Sequence, residues 1–454
     1  MSIFNGKRLT NEAFKLDIER MRRGWYSDKY FENSARMYTE LAAEGYRFGG
    51  TSPGLSAEGF ELLAVPTGDI KIEMQWFTRR VPFTLVAGVD KALSMLRHCA
   101  GYFDRDGRFH ETYEQLDVEA VEDGVIVYHE GDPLHVSPVI KVRGRYRDFA
   151  ILETPTLGTL TRASRIATNV YQVLVAARGK PVLFFPARFD AHEIQAADGY
   201  AYDIAVRRYA MDTGREVGSF VSTDAQGDWW GGAGGGTVAH AAIASFLGDT
   251  AELMLAFART QPKGIPRIAL VDFHNDSVGD SLSTLRAMFG GYRELVEQGN
   301  REEAAKYRLY GVRLDTSGTL RDKSVPEMED PASSRGVTPE LVRIVRTALD
   351  HAYEGWDLPA AWREEARRYC EAVKIVVTGG LHPGGIERFE SEGVPADIYG
   401  VGSWLLSSCK TCGTNNDFTA DAVRVEIEGR WVPMVKVGRR PGENPDLKPV
   451  IWAE

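Results

Sequence analysis

The sequence predicts an α/β protein built around a (β/α) barrel, and three observations lead there. Two short stretches near the C-terminus, Lys374-Ile-Val-Val-Thr-Gly-Gly-Leu381 and Ala396-Asp-Ile-Tyr-Gly-Val-Gly-Ser403, each read as a buried strand running into a glycine turn and then a helix. Glycine there lets backbone amides come close to an anion, and the following helix offers its N-terminus. Two such units late in an α/β chain are what the last strands of a barrel look like when they hold a phosphate. The third observation is the alternation of helix and strand patterns beyond Thr154-Pro155, which implies a parallel sheet with crossover helices.

The elements follow in order. The first fifty residues read as amphipathic helix, with Trp25, Tyr26, Tyr30, Phe31, Met37, Tyr38 and Leu41 scattered through charge. Asp69 to Trp76 alternates apolar and polar with period two, as a half-buried antiparallel strand does. Val89 to Tyr102 reads as a helix with Leu93, Leu96 and Ala100 on one face. From Val118 to Leu152, turn signals such as Asp123-Gly124 and Arg143-Gly144 separate short apolar runs, giving a small antiparallel β module.

Thr161 to Ala177 is helical, Pro181 to Phe185 a buried strand, and Gly236 to Ala258 one helix or two. Ile265 to Val271 is a strand, Asp280 to Glu297 a helix and Tyr310 to Leu314 a strand. Thr338-Pro339 opens a helix with an N-cap and a first-turn proline. Asp322 to Gly336 is a long polar loop. Val423 onward returns to strand-like sequence.

Composition narrows the class. At 454 residues with a net charge of −10, the chain calls for two or three domains and disfavours non-specific nucleic-acid binding. Met1 to Phe14 has no apolar core or cleavage pattern, so no secretory signal is expected. Gly231 to Ala258 is interrupted by His240, Asp249 and Glu252 and is no membrane span. Four cysteines do not suggest a disulfide scaffold. The expectation is a cytoplasmic enzyme with no nucleic-acid or membrane partner.

Gly311-Val-Arg-Leu-Asp-Thr-Ser-Gly318, Thr378-Gly-Gly-Leu381 and Tyr399-Gly-Val-Gly402, with Gly236-Thr-Val-Ala-His240 upstream, together resemble the nicotinate phosphoribosyltransferase family of type II phosphoribosyltransferases. Ser27-Asp-Lys-Tyr30, Ala150-Ile-Leu-Glu-Thr-Pro-Thr156, Phe418-Thr-Ala-Asp421 and Gly438-Arg-Arg-Pro-Gly442 extend the resemblance over nearly the whole chain. It implies an N-terminal α+β domain over 1–153, an irregular TIM-like (β/α) barrel over 154–406, and a C-terminal segment over 407–454 packing back on the N-terminal domain. It also implies an enzyme of NAD biosynthesis. Such an enzyme joins nicotinate to phosphoribosyl pyrophosphate, uses Mg²⁺, and hydrolyses ATP as co-substrate through a transient phosphohistidine. A homodimer or higher homo-oligomer is implied as well. Nicotinamide or quinolinate as acceptor, and a non-catalytic phosphate-binding barrel with a regulatory role, are the alternatives.

The candidate residues follow. Arg313 and Asp315 stand two apart on a presumed strand and so face one side, where burial is costly unless they are paired or functional. Asp315 would hold ribose hydroxyls or Mg²⁺, and Arg313 phosphate or carboxylate oxygens; a structural ion pair is the plainer reading. Asp272, ending Ile268-Ala-Leu-Val-Asp272, has the same logic, although Phe273-His-Asn-Asp276 departs from the family's wording. His240 is the residue the resemblance marks for phosphorylation. Gly379, Gly380, Gly400, Gly402 and Ser403 are assigned to the 5′-phosphate.

Arg188 stands where the family often has two adjacent arginines and is expected to meet the substrate carboxylate, with His192 next to it in the loop. Tyr30 matches the family's ring-stacking aromatic. Cys409-Lys-Thr-Cys412 is half of a zinc site. Some archaeal-type relatives carry a structural zinc near this end; a redox pair or two reduced cysteines are the other readings.

Overall fold

The computed structural model describes residues 6–452, so the first five residues of the N-terminal stretch and the last two of the C-terminal segment lie outside it. The chain divides into two compact units. One holds the residues up to Tyr171, Tyr200–Met211 and the chain from Ser407 onward. The other holds Gln172–Gly199 and Asp212–Leu406. Among the described residues no helix is long and apolar enough to cross a membrane.

The first unit is centred on an antiparallel sheet. Its order is Arg430–Pro433, Phe418–Ile427, Lys71–Thr78, Ile140–Arg145, Asp117–Ala120 and Lys448–Pro449. The C-terminal strands thus flank the N-terminal ones, with Ile72 opposite Val425 on one side and Lys448 opposite Ala120 at the far edge. Trp76, Leu93, Leu96, Ile140, Val142, Phe149 and Leu160 form the core between sheet and helices.

The period-two reading of Asp69 to Trp76 holds, but its polar face is covered rather than wet. Glu73 is 1 % exposed and sits between Arg143, with Nε 2.6 Å from Oε2, and Arg424, with Nη1 2.6 Å from Oε1. Gln75 is closed off by the Gly438–Gly442 return: its Oε1 accepts from Gly442 N at 2.8 Å and its Nε2 donates to Arg440 O. A buried carboxylate persists only with such partners.

The helix expected over Val89 to Tyr102 stops at Cys99, and the chain turns into a short strand, Gly101–Phe103. Its N-terminus follows Gly88 (φ +91°), which has no side chain to cap with. Asp123 does so from afar, accepting from Val89 N at 2.8 Å. The next long helix begins at Glu153, earlier than the expected Thr161. Pro155 falls in its first turn, where a missing N–H costs nothing.

The second unit is built on a six-stranded parallel sheet. Its order is Ile268–Leu270, Gly311–Leu314, Lys374–Val377, Ile398–Val401, Val182–Phe184 and Phe220–Val221. That order repeats the chain order going round, because the last strand, Ile398–Val401, pairs with the first, Val182–Phe184. This is the topology of a curled, barrel-type sheet. A single parallel bridge from Val221 to Gly234 extends one edge. Among the described strands none joins that edge to Ile268–Leu270, so the ring is open there. The stretch from Gly236 to Ala258 becomes two helices, His240–Ser245 and Thr250–Thr260, broken at Leu247 and Gly248, both with positive φ.

Candidate functional site

The parallel strands fix where the candidate residues stand. Asp272 lies two residues past Leu270, Asp315 one past Leu314, Thr378 one past Val377, Gly402 one past Val401, and Arg188 four past Phe184. All are therefore at the C-terminal rim of one sheet, the end where such sheets place their chemistry.

Arg313 is the pivot. It sits on its strand opposite Leu270 and Val376. Its Nη2 stands 3.9 Å from Asp315 Oδ2, so both side chains face one side, as their spacing predicts. Burial lowers the Arg313 pKa from its ordinary value, Asp315 and Asp272 oppose that shift, and nearby Arg188 adds to it. Four charged groups from three strands therefore act on one another. Arg313 Nε is buried without a hydrogen-bond partner, leaving a donor unused.

Asp272 is held by His240, whose Nε2 lies 3.0 and 3.1 Å from the two carboxylate oxygens. His240 opens the short helix His240–Ser245, and its ring is about half exposed. Binding through Nε2 leaves Nδ1 as the ring nitrogen directed away from the carboxylate. Asp315 is held from the next strand by Thr378, whose Oγ1 lies 2.7 Å from Asp315 Oδ1 and 2.9 Å from Leu314 O. The hydroxyl has one proton for these two acceptors, so it serves one at a time.

The glycines divide into two kinds. Gly379 and Gly380 have φ of +91° and +65°. A side chain at Gly380 would meet nothing within 4 Å, so this turn fronts open space. His382 then caps the helix Pro383–Ser391, its Nδ1 accepting from Gly385 N. Gly400 and Gly402 are needed for packing instead. A Cβ at 400 would fall 2.6 Å from Thr378 Cγ2, and one at 402 would fall 2.8 Å from Phe189 Cε2. The helix expected after the second turn is a single 3₁₀ turn, Ser403–Leu406.

Arg188 is exposed, with its guanidinium 5.2 Å from the Phe189 ring centroid. His192 is largely exposed, and its ring pairs with neighbouring Glu193 rather than with this cluster. Three rim residues escaped the sequence reading as site members: Thr378, and His274 with Asp280, whose Nδ1 and Oδ1 are 3.0 Å apart. Thr378 stands inside a motif that was noticed for its glycines.

Tyr30 belongs to the first unit. It is exposed on the helix Lys29–Ala43, and its hydroxyl lies 3.4 Å from Asp28 Oδ2. Asp28 N donates to Thr154 Oγ1 at 3.1 Å, which ties two separate motifs together. The neighbouring Glu153 carboxyl is pushed up to about 8 by burial, with Asp421 and Asp28 adding to the shift. Asp421 in turn lies 3.1 Å from Arg439 Nε. The four motifs outside the parallel sheet thus meet in one charged cluster.

Cys409 and Cys412 lie on a turn in the same unit. By number they could offer only two of the four ligands that zinc takes. Among the described residues no group of three or more His, Cys, Asp or Glu side chains comes together to hold a metal.

No protein-family model matches the chain. Solved structures do. A structure of nicotinate-nucleotide pyrophosphorylase from Pyrococcus furiosus is similar with a TM-score of 0.60 at 23% identity, covering 94% of this chain and 81% of that one. A structure of human nicotinic acid phosphoribosyltransferase is similar with a TM-score of 0.51 at 17% identity, covering 90% and 76%. At these identities the likeness is one of fold, and the fold of this chain is that of the type II phosphoribosyltransferases.

Proposed function

We propose that the chain is a phosphoribosyltransferase of NAD biosynthesis that joins nicotinate to phosphoribosyl pyrophosphate, giving nicotinate mononucleotide and pyrophosphate. The observation that carries this reading is the rim constellation: Arg313 between Asp272 and Asp315, with the Gly379-Gly380 turn on the next strand.

In the reaction, the pyridine nitrogen forms a bond to the ribose C1 as the bond from C1 to pyrophosphate breaks. Positive charge grows on the ribose and negative charge on the leaving group. Asp315, fixed by Thr378, and Asp272, fixed by His240, supply carboxylates for the sugar side. The left-handed turn at Gly379-Gly380 presents amides to the 5′-phosphate, beside the N-terminus of Pro383–Ser391. Arg313 and Arg188 are the cations for carboxylate or phosphate oxygens.

Asp272 and Asp315 offer the hard oxygen ligands that Mg²⁺ takes, and the ion would supply charge neutralisation for the leaving pyrophosphate. ATP coupling through phosphorylation of His240 Nδ1, stacking of Tyr30 on the pyridine ring, a homo-oligomeric state and a cytoplasmic location remain parts of this proposal.

A second acceptor, quinolinate, is favoured by the higher structural similarity to the nicotinate-nucleotide pyrophosphorylase. A dicarboxylate needs more cations than Arg188 and Arg313 alone, so nicotinate is the first choice. The test is a product assay with phosphoribosyl pyrophosphate and labelled nicotinate, quinolinate or nicotinamide in separate reactions. Mononucleotide from nicotinate alone is the expected result. Product from quinolinate only would move the assignment to the second acceptor, and product from none would remove the transferase reading.

A further inference from the structure

The Cys409-Lys-Thr-Cys412 turn is the motif that the proposed reaction leaves unused. It follows directly on the point, Leu406 to Ser407, where the chain leaves the parallel-sheet unit. The turn is well anchored. Cys409 O accepts from Thr414 N at 3.0 Å and Asn415 N at 3.2 Å, and Cys409 N donates to Thr414 Oγ1 at 2.9 Å. Gly413 reverses the chain with φ +71°. Thr414 and Asn416 behind it are buried, and Asn416 Oδ1 accepts from Thr84 Oγ1 at 2.7 Å. The fold therefore holds the two cysteines three apart on a hydrogen-bonded reversal, with Cys409 partly exposed and Cys412 exposed.

Cys409 Sγ lies 3.3 Å from Cys412 N and 3.1 Å from Thr411 Oγ1, while the Cys412 thiol donates to Cys409 O at 3.7 Å. Hydrogen bonding with Cys412 and Thr411 pulls the Cys409 thiol down to about 7. The other two cysteines are the opposite case. Cys99 and Cys370 are buried, and burial pushes both thiols up to about 12. Of the four cysteines in the chain, only Cys409 combines access with a stabilised thiolate, and the exposed Cys412 lies three residues on. A tight reversal keeps residues three apart within about 7 Å between Cα atoms, inside or close to the span of about 4.4–6.8 Å that a disulfide bridges.

We infer that Cys409 and Cys412 form a redox-active dithiol that is reversibly oxidised to an intramolecular disulfide by low-molecular-weight disulfides. The Cys409 thiolate attacks one sulfur of the oxidant, forming a mixed disulfide and releasing one thiolate. Cys412 then loses its proton to solvent, attacks Cys409 Sγ and releases the second thiolate. The protein pair is oxidised by two electrons, and the small disulfide is reduced to two thiols. Among the described residues no third ligand joins the two cysteines, and such a pair suits this chemistry better than zinc, which takes four ligands. The inference does not depend on the transferase reading.

The test uses the full chain, reduced and then equilibrated in buffers of graded ratio of glutathione to glutathione disulfide. Acid quenching, alkylation after unfolding and peptide mass mapping follow, with zinc measured on the protein as purified. The expected result is loss of two hydrogens confined to the peptide holding Cys409 and Cys412, reversed by excess glutathione, with Cys99 and Cys370 alkylated throughout. Cys412→Ser should trap one glutathione on Cys409, and Cys409→Ser should react far more slowly. Alkylation of native wild-type protein by iodoacetamide should rise with a midpoint near pH 7. A pair that stays reduced in glutathione disulfide would overturn the inference. So would one zinc per chain shielding both thiols, or glutathione left on Cys409 in the wild-type protein.

Discussion

Asp315 shows how much one side chain carries at this rim. It is the partner of both Arg313 and Thr378, so removing its charge changes the site without removing its hydrogen-bond frame. Asp315→Asn is expected to lower turnover at least about a hundredfold, roughly 3 kcal/mol of charge stabilisation in a dry site. The melting temperature should stay near wild type; unchanged turnover would make the ion pair structural. His240 is bound to Asp272 through one nitrogen only. His240→Ala should abolish ATP-dependent stimulation while leaving slow, ATP-independent product formation, read by following ATP hydrolysis and product in one reaction. ATP hydrolysis that persists in step with product would remove His240 from that role. Arg313, Asp315 and Asp272 stand out in the sequence through spacing and strand ends, and His240 through the family resemblance alone. Thr378 was not, since a hydroxyl that orients a carboxylate has no signature of its own. His192 stood out only by proximity to Arg188, and its actual partner is Glu193.

Among elements, the two glycine turns looked alike in sequence and differ in structure. At Gly380 the backbone is left-handed and fronts open space, so Gly380→Val should strain the turn and fill the place of a phosphate oxygen. Affinity for phosphoribosyl pyrophosphate should fall sharply with little loss of nicotinate binding, measured by calorimetry for each ligand. Gly400→Ala should act through packing, because the new Cβ would collide with Thr378 and Phe185. Its melting temperature should fall, by an amount corresponding to about 1–3 kcal/mol. If both variants change only stability, the phosphate does not bind at the 379–380 turn.

The helix Glu153–Ala176 allows a pH test. Its Glu153 carboxyl is held up to about 8 in the folded state against an ordinary value of 4.5. The unfolded chain therefore releases this proton first as pH rises. The contribution of this group to stability falls between about 4.5 and 8. Glu153→Gln should accordingly melt higher relative to wild type at pH 8 than at pH 5. An equal difference at both values would contradict the shift. The helix Gln195–Thr213 was missed in the sequence for a related reason. Tyr200, Ala201, Tyr202, Ile204, Ala205, Val206 and Tyr209 are all buried, as are Asp198 and Asp203, so no apolar stripe distinguishes one face.

At the scale of the whole molecule, alternation of strand and helix was enough to foresee a parallel sheet. It was not enough to foresee the opening in its ring, because a missing pairing leaves no pattern in the chain. The covering of the polar face of Lys71–Thr78 was equally hidden, since Arg424 and Gly442, which help close it off, lie 351 residues from Glu73 and 367 from Gln75. Under the proposed function, the sheet, the rim charges and the 379–380 turn together serve transfer of a phosphoribosyl group to a pyridine acid. The most direct measurement is release of pyrophosphate from phosphoribosyl pyrophosphate by the purified chain with Mg²⁺, with and without nicotinate. The account predicts release that depends on nicotinate, matches mononucleotide formed one for one, and nearly disappears in Asp315→Asn. Pyrophosphate release that ignores nicotinate, or none at all from a folded protein, would contradict it.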